Sequence, residues 1–458
     1  MAPAMNQDAT RRTFLQLSAL AGATFLGASC ASLAALAPAR KRPVKGRLRH
    51  ASIGVGGMGA ADLGEIAAHP EVEVVALCDV DRGFLEQAAA RVPGARLHRD
   101  WRELLAQEAW HLDSINVTTP DHMHAPITLA ALELGLHVYC QKPLTRTIQE
   151  ARAVARAARS AGVVTQMGIQ NHSHAPYAQA IELFRAGHIG RVHEVHVWTD
   201  RPAGWWPQGV ERPPGADPVP ETLDWDLWLG VAPGRPYKGG NYHPFAWRGW
   251  KDFGTGAQGD MACHLMDPAL WFLGLRDPLR VRSDGPRPND ETYPLWSRVH
   301  YEFPPNELTT RGPLLLTWHD GGKKPARELC DDLGAGEIWG NGSLFLGEKG
   351  ALLASPYDPP RLLPAERFAS VAIPEKHDVN HWHQWVDACR GVGSPSAPFE
   401  YAAFLTEVAL LGNVALHFPN ETLEWDARRV RFPERPEANA FLAPRYRKGW
   451  ETRGLPSA

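Results

Sequence analysis

From residue 48 onward the chain alternates short apolar runs with amphipathic stretches. Leu48 to Ile53, Val72 to Cys78, Leu112 to Val117, Leu136 to Cys140 and Val163 to Gly168 are each brief, opened by an aliphatic residue and closed by polar or turn residues, which predicts strands. Between them, Ala60 to His69, Ile127 to Leu134 and Ile148 to Ala161 repeat apolar residues at helical spacing, as at Ala61, Leu63, Ile66 and Ala67. Strands alternating with helices predict a doubly wound parallel sheet, with ligands at the carboxyl ends of its strands. Past residue 170 the pattern changes. A helix from Tyr177 to Ala186 leads into a strand from Val192 to Trp198, and the later runs Val299 to Phe303, Leu314 to Trp318 and Ser343 to Leu346 have no long helices between them. That predicts a mainly antiparallel sheet, open on one face. Helices at Asn380 to Arg390 and Tyr401 to Phe418 follow, and a Pro-rich tail from Pro419 reads as an extended arm that wraps its own or a neighbouring subunit.

The first predicted strand ends in Gly54-Val55-Gly56-Gly57-Met58-Gly59, and a helix starts there. In this position Gly54 permits a tight turn, Gly56 lets the backbone approach a pyrophosphate, Gly59 allows helix to pack on strand, and the helix N-terminus faces the phosphates through Gly57 and Met58. Asp79 closes the second strand 20 residues after Gly59, where a ribose-binding carboxylate belongs. It would accept from the adenosine ribose hydroxyls of NAD and repel the 2'-phosphate of NADP; Arg82 nearby softens that repulsion, so NADP stays open. The fold class is thus α/β, with an N-terminal Rossmann sheet over residues 48–170, a C-terminal α+β domain over 171–420 and an arm over 421–458.

Residues 1–39 belong to none of these. Thr10-Arg11-Arg12-Thr13-Phe14-Leu15-Gln16 resembles the twin-arginine export motif and precedes an Ala-rich, weakly apolar stretch to Ala37. This predicts export by the twin-arginine machinery in a folded, cofactor-loaded state to the periplasm or another extracytoplasmic site. Cleavage is expected near residue 37 or 39. A lipid anchor at Cys30 is disfavoured because no aliphatic residue stands three positions before it, and the stretch is short and weakly hydrophobic for a membrane span.

Composition adds exclusions. With 48 Lys and Arg against 51 Asp and Glu, the net charge of -3 supplies no basic field for nucleic acid. Beyond Cys30, the five widely spaced cysteines Cys78, Cys140, Cys263, Cys330 and Cys389 form neither a disulfide framework nor a zinc pattern, and their odd number implies at least one free, buried thiol.

Two strand ends carry Thr119-Pro120-Asp121-His122-Met123-His124 and Gln141-Lys142-Pro143. With the glycine run, Asp79 and Gly259-Asp260-Met261-Ala262-Cys263-His264, these resemble the glucose-fructose oxidoreductase, inositol dehydrogenase and rhizopine-catabolism family, written Gfo/Idh/MocA. The resemblance spans essentially the whole chain after residue 47. It extends to an exported, Trp-rich branch through Gly168-Ile169-Gln170-Asn171-His172, Trp205-Trp206-Pro207 and Tyr446-Arg447-Lys448-Gly449-Trp450. It implies hydride transfer between a sugar or polyol carbon and nicotinamide, tightly bound NAD, a cofactor wall that includes Thr119, Pro120, His124, Gln141 and Lys142, and a homo-oligomer. Gln141 departs from the family's usual Glu-Lys-Pro. By resemblance His264 accepts the proton, Asp260 positions substrate or histidine, and Lys142 binds the reacting hydroxyl and the nicotinamide ribose. From the residues themselves, Asp260 and His264 at i and i+4 share a helix face, so the carboxylate could orient the imidazole; the alternative is a helix-start carboxylate beside a core histidine.

A loop-rich insertion over residues 201–258 holds Trp205, Trp206, Trp225, Trp228, Trp247 and Trp250. Sugar stacking is one use for such rings, but most are expected to hold the insertion together. The substrate-binding candidates are Tyr177, His243, Trp247 and Arg248, with Tyr242 a further polar residue of the insertion. His172, His174, His243 and His264 lack a carboxylate or cysteine cluster to complete a metal site, so hydrogen bonding is expected of them; His381 and His383 read as structural. The leading expectation is an exported NAD(P)-dependent oxidoreductase acting on a sugar, glycoside or polyol. The alternatives are a glycosidase using transient oxidation and elimination, which retained Lys142 disfavours, and a non-catalytic carbohydrate-binding protein.

Overall fold

A computed structural model describes Val44 and residues 46–455, so the twin-arginine stretch, Cys30 and both cleavage positions lie outside the described residues. The first domain runs β1 (Leu48–Ile53), α1 (Met58–Ala68), β2 (Val72–Cys78), α2 (Arg82–Arg91), β3 (Arg96–His98), α3 (Trp101–Glu108), β4 (Ser114–Val117), α4 (His124–Glu133), β5 (His137–Gln141), α5 (Ile148–Ala161) and β6 (Thr165–Gly168). Its six strands lie in the order β3-β2-β1-β4-β5-β6, every pair parallel. Helices cover both faces, so β4, β5 and β6 are buried at every position, polar residues such as Asn116 and Gln166 included. The order reverses between β1 and β4, and that switch point opens the crevice in which such sheets bind ligands.

The second domain adds α6 (Ala175–Arg185), β7 (Val192–Trp198), α7 (Trp225–Leu229), α8 (Gly256–Leu265), α9 (Asp267–Phe272), β8 (Arg280–Asp284), β9 (Arg298–Phe303), β10 (Leu314–His319), α10 (Arg327–Asp332), β11 (Gly342–Gly347), β12 (Gly350–Ala354), β13 (Arg361–Leu363), α11 (His381–Cys389), α12 (Phe399–Ala415) and β14 (Thr422–Glu424). Eight strands form one sheet in the order β13-β12-β11-β7-β10-β9-β8-β14, antiparallel except for the parallel pair β7 and β10. The long apolar helix α12 packs on α5 of the first domain and on α8 and β8 of the second, which fixes α8 against the parallel sheet.

Two later segments return to the first domain. Helix α11 packs on α1, and its Trp385 sits with Leu48, Ile66, Val72 and Tyr139 in a small core. The terminal arm supplies β14 to the large sheet, then crosses back: the Gln149 amide donates to Leu442 O at 2.9 Å, the Tyr446 hydroxyl bonds Glu150, and the Arg102 guanidinium lies 4.2 Å over the Trp450 ring. The arm thus wraps its own chain. The five cysteines of the described residues are buried free thiols.

Candidate active site

The crevice at the β1/β4 switch point is a cavity of about 730 Å³ whose walls come from both domains. Gly54, Gly56, Gly57 and Met58 form its floor. Gly54 takes φ +80°, and a Cβ there would lie 2.5 Å from Thr118 O; a Cβ on Gly59 would lie 2.1 Å from Gly54 O, so helix α1 reaches the strand only because both positions are glycine. No side chain caps α1; the Gly59 and Ala60 amides turn back onto Gly56 O and Gly57 O at 2.8 and 3.1 Å, and the positive end of the helix faces the cavity at Gly57 and Met58. Asp79 lines the cavity at the end of β2, with Oδ2 accepting from the Val55 amide at 2.8 Å and Oδ1 from the Asp81 amide at 2.9 Å. Burial raises its carboxyl, against those two amides. Each oxygen retains a lone pair for a ribose hydroxyl. An uncapped helix start, a glycine cradle with no room for side chains and a carboxylate at the end of β2 together fit a dinucleotide.

The opposite end holds the candidate chemistry. Lys142 follows β5 and its Nζ donates to Asp260 Oδ1 at 2.6 Å; Arg248 Nε reaches the same oxygen at 3.3 Å. Burial alone would raise the Asp260 carboxyl, but the Lys142 ammonium and Arg248 guanidinium bring it down to about 2. His264, one turn further along α8, also lines the cavity. Burial, reinforced by Lys142, lowers its imidazole to about 3 and so keeps the ring neutral. Its Nδ1 is buried without a partner among the described residues. Asp260 therefore spends its bonds on two cations rather than on His264, although the two share a helix face; the cations win because charge pairs outweigh a bond to a neutral ring in a dry site.

The remaining sequence candidates divide. Thr119, Pro120, Gln141, His243, Trp247 and Arg248 line the cavity; Gly59, His124, Tyr177 and Asp260 do not, Asp260 standing behind Lys142 and Arg248. His124 is a strut, Nδ1 at 2.8 Å from Pro143 O and Nε2 at 2.8 Å from Thr119 O, tying the end of β4 to the end of β5. Burial opposes its charge, yet Cys140, Asp121 and the Pro143 carbonyl push it up to about 9. Tyr177 is fully buried beneath α8 and donates to His264 O at 3.0 Å, a core position rather than a substrate contact. His243 bonds Asp81 at 3.0 Å and meets the Phe84 ring, so it stands at the Asp79 end, away from Lys142. Arg248 is held between the rings of Phe245 and Trp247, 4.1 and 4.4 Å from their centroids. Arg82 pairs with Glu86 on α2 instead of closing on the ribose carboxylate.

Trp228, Trp247 and Trp250 form a satellite core with Tyr237, Tyr242 and Phe253, and Trp225 stacks on Trp228 at 4.7 Å. These rings hold the insertion together, and only Trp228 and Trp247 also reach the cavity. Wall residues that the sequence does not point to include Phe84, Arg99, Trp101 and Phe245, while Asp121 and Gln170 stand in quoted motifs without an expected role. Arg99 and Trp101 follow β3, a three-residue strand too short and polar to recognise, although a strand's carboxyl end is where ligands are expected.

Residues 48–169 match the Gfo/Idh/MocA oxidoreductase family's NAD-binding Rossmann fold, and residues 205–306 match its C-terminal α/β domain. The levoglucosan dehydrogenase of Pseudarthrobacter phenanthrenivorans is 27% identical over 189 residues, 41% of this chain and 39% of that protein. Inositol 2-dehydrogenase 4 of Saccharopolyspora erythraea is 32% identical over 189 residues, 40% of this chain and 54% of that one. The match thus spans about half or less of each relative. The WlbA dehydrogenase of Bordetella pertussis, solved with NADH and UDP-GlcNAcA, superposes with a TM-score of 0.59 at 18% identity over 83% of this chain and 99% of its own, a likeness of fold. The chain belongs to the Gfo/Idh/MocA oxidoreductase family, with its NAD-binding Rossmann domain and C-terminal domain.

Proposed function

We propose that this Gfo/Idh/MocA-family chain oxidises a secondary hydroxyl of a sugar, glycoside or polyol at the Lys142 end of the cavity. The observation that carries the reading is Lys142, held at 2.6 Å by Asp260, lining with His264 the same cavity as the glycine loop and Asp79. When bound, NAD supplies the hydride acceptor. Lys142 donates to the reacting oxygen and stabilises the negative charge that grows there. His264, neutral at physiological pH, accepts the hydroxyl proton, and the carboxylate of Asp260 beside it favours the imidazolium that results. Asp260, behind the cavity wall, holds Lys142 and Arg248 through Oδ1 and so orients the two cations that line the cavity. Trp228 and Trp247 offer apolar faces to the C–H side of a sugar ring.

The relatives named for levoglucosan and inositol oxidation support a carbohydrate or polyol substrate. The Arg11-Arg12 motif supports export before the reaction. The direct test follows the absorbance of reduced nicotinamide while the protein meets hexoses, glycosides and inositols at saturating NAD. Reduction with at least one of them is expected, and none with any of them overturns the reading.

A further inference from the structure

Gln141 stands beside Lys142 on the cavity wall, and directly behind it lies a carboxylate that the chemistry above does not use. Asp62, in the second turn of α1, is fully buried. Its Oδ1 accepts from Trp382 Nε1 at 2.8 Å and from Gln141 Nε2 at 3.1 Å; its Oδ2 accepts from Thr118 Oγ1 at 2.7 Å and from Gln141 Nε2 at 3.0 Å. Four elements therefore meet on one side chain: α1, the end of β4, the end of β5 and α11. The network continues inward, since Asn116 Nδ2 donates to Thr118 Oγ1 at 2.8 Å and His50 Nε2 lies 3.0 Å from Asn116 Oδ1. The donors to Asp62 are an amide, an indole and a hydroxyl, all neutral. Burial lifts the Asp62 carboxyl to about 6, against the bonds from Thr118, Trp382 and Gln141, so it is charged at neutral pH.

Keeping a buried carboxylate on neutral donors costs stability, which a merely structural network could avoid with an amide. The charge absent from position 141, where Gln replaces the Glu of the resembling family pattern, sits one hydrogen bond further back, on the helix instead of the strand.

We propose that Asp62 sets the redox preference of the bound cofactor: its fixed negative charge, held behind Gln141 and Thr118 at the Lys142 end of the cavity, favours cationic NAD+ over NADH. This rests on the reading above, in which the nicotinamide lies at that end. The oxidised ring carries one positive charge and the reduced ring none. Whatever Asp62 contributes to loop or pyrophosphate binding is common to both forms and cancels in their ratio. Lys142 and Arg248 act on the ring in the opposite sense, but Asp260 neutralises one of those two charges. Asp62 acts through Gln141 and Thr118 and is a positioning residue rather than a catalytic one.

The test is calorimetric titration of the full chain, stripped of nucleotide, with NAD+ and separately with NADH, reading the ratio of Kd for NAD+ to Kd for NADH. Asp62→Asn preserves size and removes the charge, so the ratio should rise about tenfold, the order expected of one charge acting through a protein wall at an effective dielectric of about 20. Asp62→Ser is a second neutral variant, should the amide disturb the network, with the same expected rise. The double variant Asp62→Asn, Gln141→Glu returns a carboxylate to the strand end and should bring the ratio back to within about threefold of wild type. A purely structural role would weaken both nucleotides alike; an unmoved ratio in a folded neutral variant, or no recovery in the double variant, overturns the proposal. If the unaltered chain binds neither nucleotide, the cofactor reading falls and this inference with it.

Discussion

Lys142 and Asp260 are 118 residues apart in sequence, yet Nζ and Oδ1 lie 2.6 Å apart and join the end of a parallel strand to the helix of the other domain. The pair spans the domain boundary just behind a cavity wall that Lys142 and, from α8, His264 both line. Asp260 keeps a second cation, Arg248, on the same oxygen.

Replacing Lys142 therefore leaves the carboxylate paired. Lys142→Met should lower the rate of hydride transfer by roughly 10²–10⁴, as for loss of a group acting on the reacting oxygen, with NADH affinity changed less than about tenfold. Stopped-flow nicotinamide absorbance and fluorescence titration separate the two effects; near wild-type turnover would remove Lys142 from the chemistry. His264→Asn is expected to behave likewise.

Asp79 holds the glycine loop through the Val55 amide, and we propose that it also faces the ribose. Asp79→Ala should weaken NAD binding by about 1–3 kcal/mol, as for charge-assisted hydrogen bonds, and lower the melting temperature as well. Unchanged affinity by titration would place the ribose elsewhere.

Tyr177 lies under α8 rather than in the cavity. Tyr177→Phe deletes the bond to His264 O, so a stability loss of about 1 kcal/mol with hydride-transfer rate and substrate KM unchanged is expected. Denaturant unfolding and steady-state kinetics check this, and a large rise in KM would return Tyr177 to the substrate site.

Stability should fall on the acid side. Burial is the largest cause lowering His50 and His417 to about 4, and His122, His264, His319 and His381 to about 3. Unfolded, each takes a proton near pH 6.5, so the unfolded chain binds more protons as pH falls from about 6.5 toward about 3, and stability is lost across that window. Asp62 and Asp320, raised to about 6, act in the opposite sense between about 6 and 3.8, with lesser help from Asp79, Asp121 and Glu407. Six imidazoles should outweigh them. Scanning calorimetry should find the melting temperature dropping steadily from pH 6.5 to pH 4; a flat profile would contradict the burial of these rings as neutral species.

The twin-arginine motif gives a cellular prediction. Lysine at both Arg11 and Arg12 should hold the protein in the cytoplasm, read by fractionation, whereas normal export of that variant would dismiss the motif.

What the sequence made legible follows from how burial writes itself into the pattern. Strands β1, β2 and β7 and helix α5 have the expected bounds because aliphatic or aromatic residues stand at the strand ends and apolar residues recur at helical spacing in α5, whose start the structure closes with a Thr147 to Glu150 capping box. Strand β8, read Arg-Val-Arg-Ser-Asp, gave no apolar run, because every second residue faces the charged side of the sheet. Helix α11 was foreseen but not its place on the first domain, since a helix's own apolar face does not say which partner it meets. At the site, the glycine loop and Asp79 were legible because phosphate binding at a helix start is local chemistry. Arg248 on Asp260 depends on how the loop before α8 folds back, and Asp62 behind Gln141 on a contact between residues 79 apart in the chain. One local signal did exist for Asp62: it stands beside Leu63 and four residues before Ile66, on the apolar face of the helix.

The central claim is net oxidation of a carbohydrate hydroxyl with the rest of the molecule left whole. The most direct measurement incubates the protein with NAD, aryl glucosides and free sugars in deuterated water and identifies the products by mass spectrometry and NMR. A keto-sugar or keto-glycoside with its glycosidic bond intact, and one NADH formed per product, is expected from a site that retains Lys142 beside Asp260 and His264. Release of the aglycone with deuterium at the carbon next to the oxidised one, no keto product and no net NADH would contradict it.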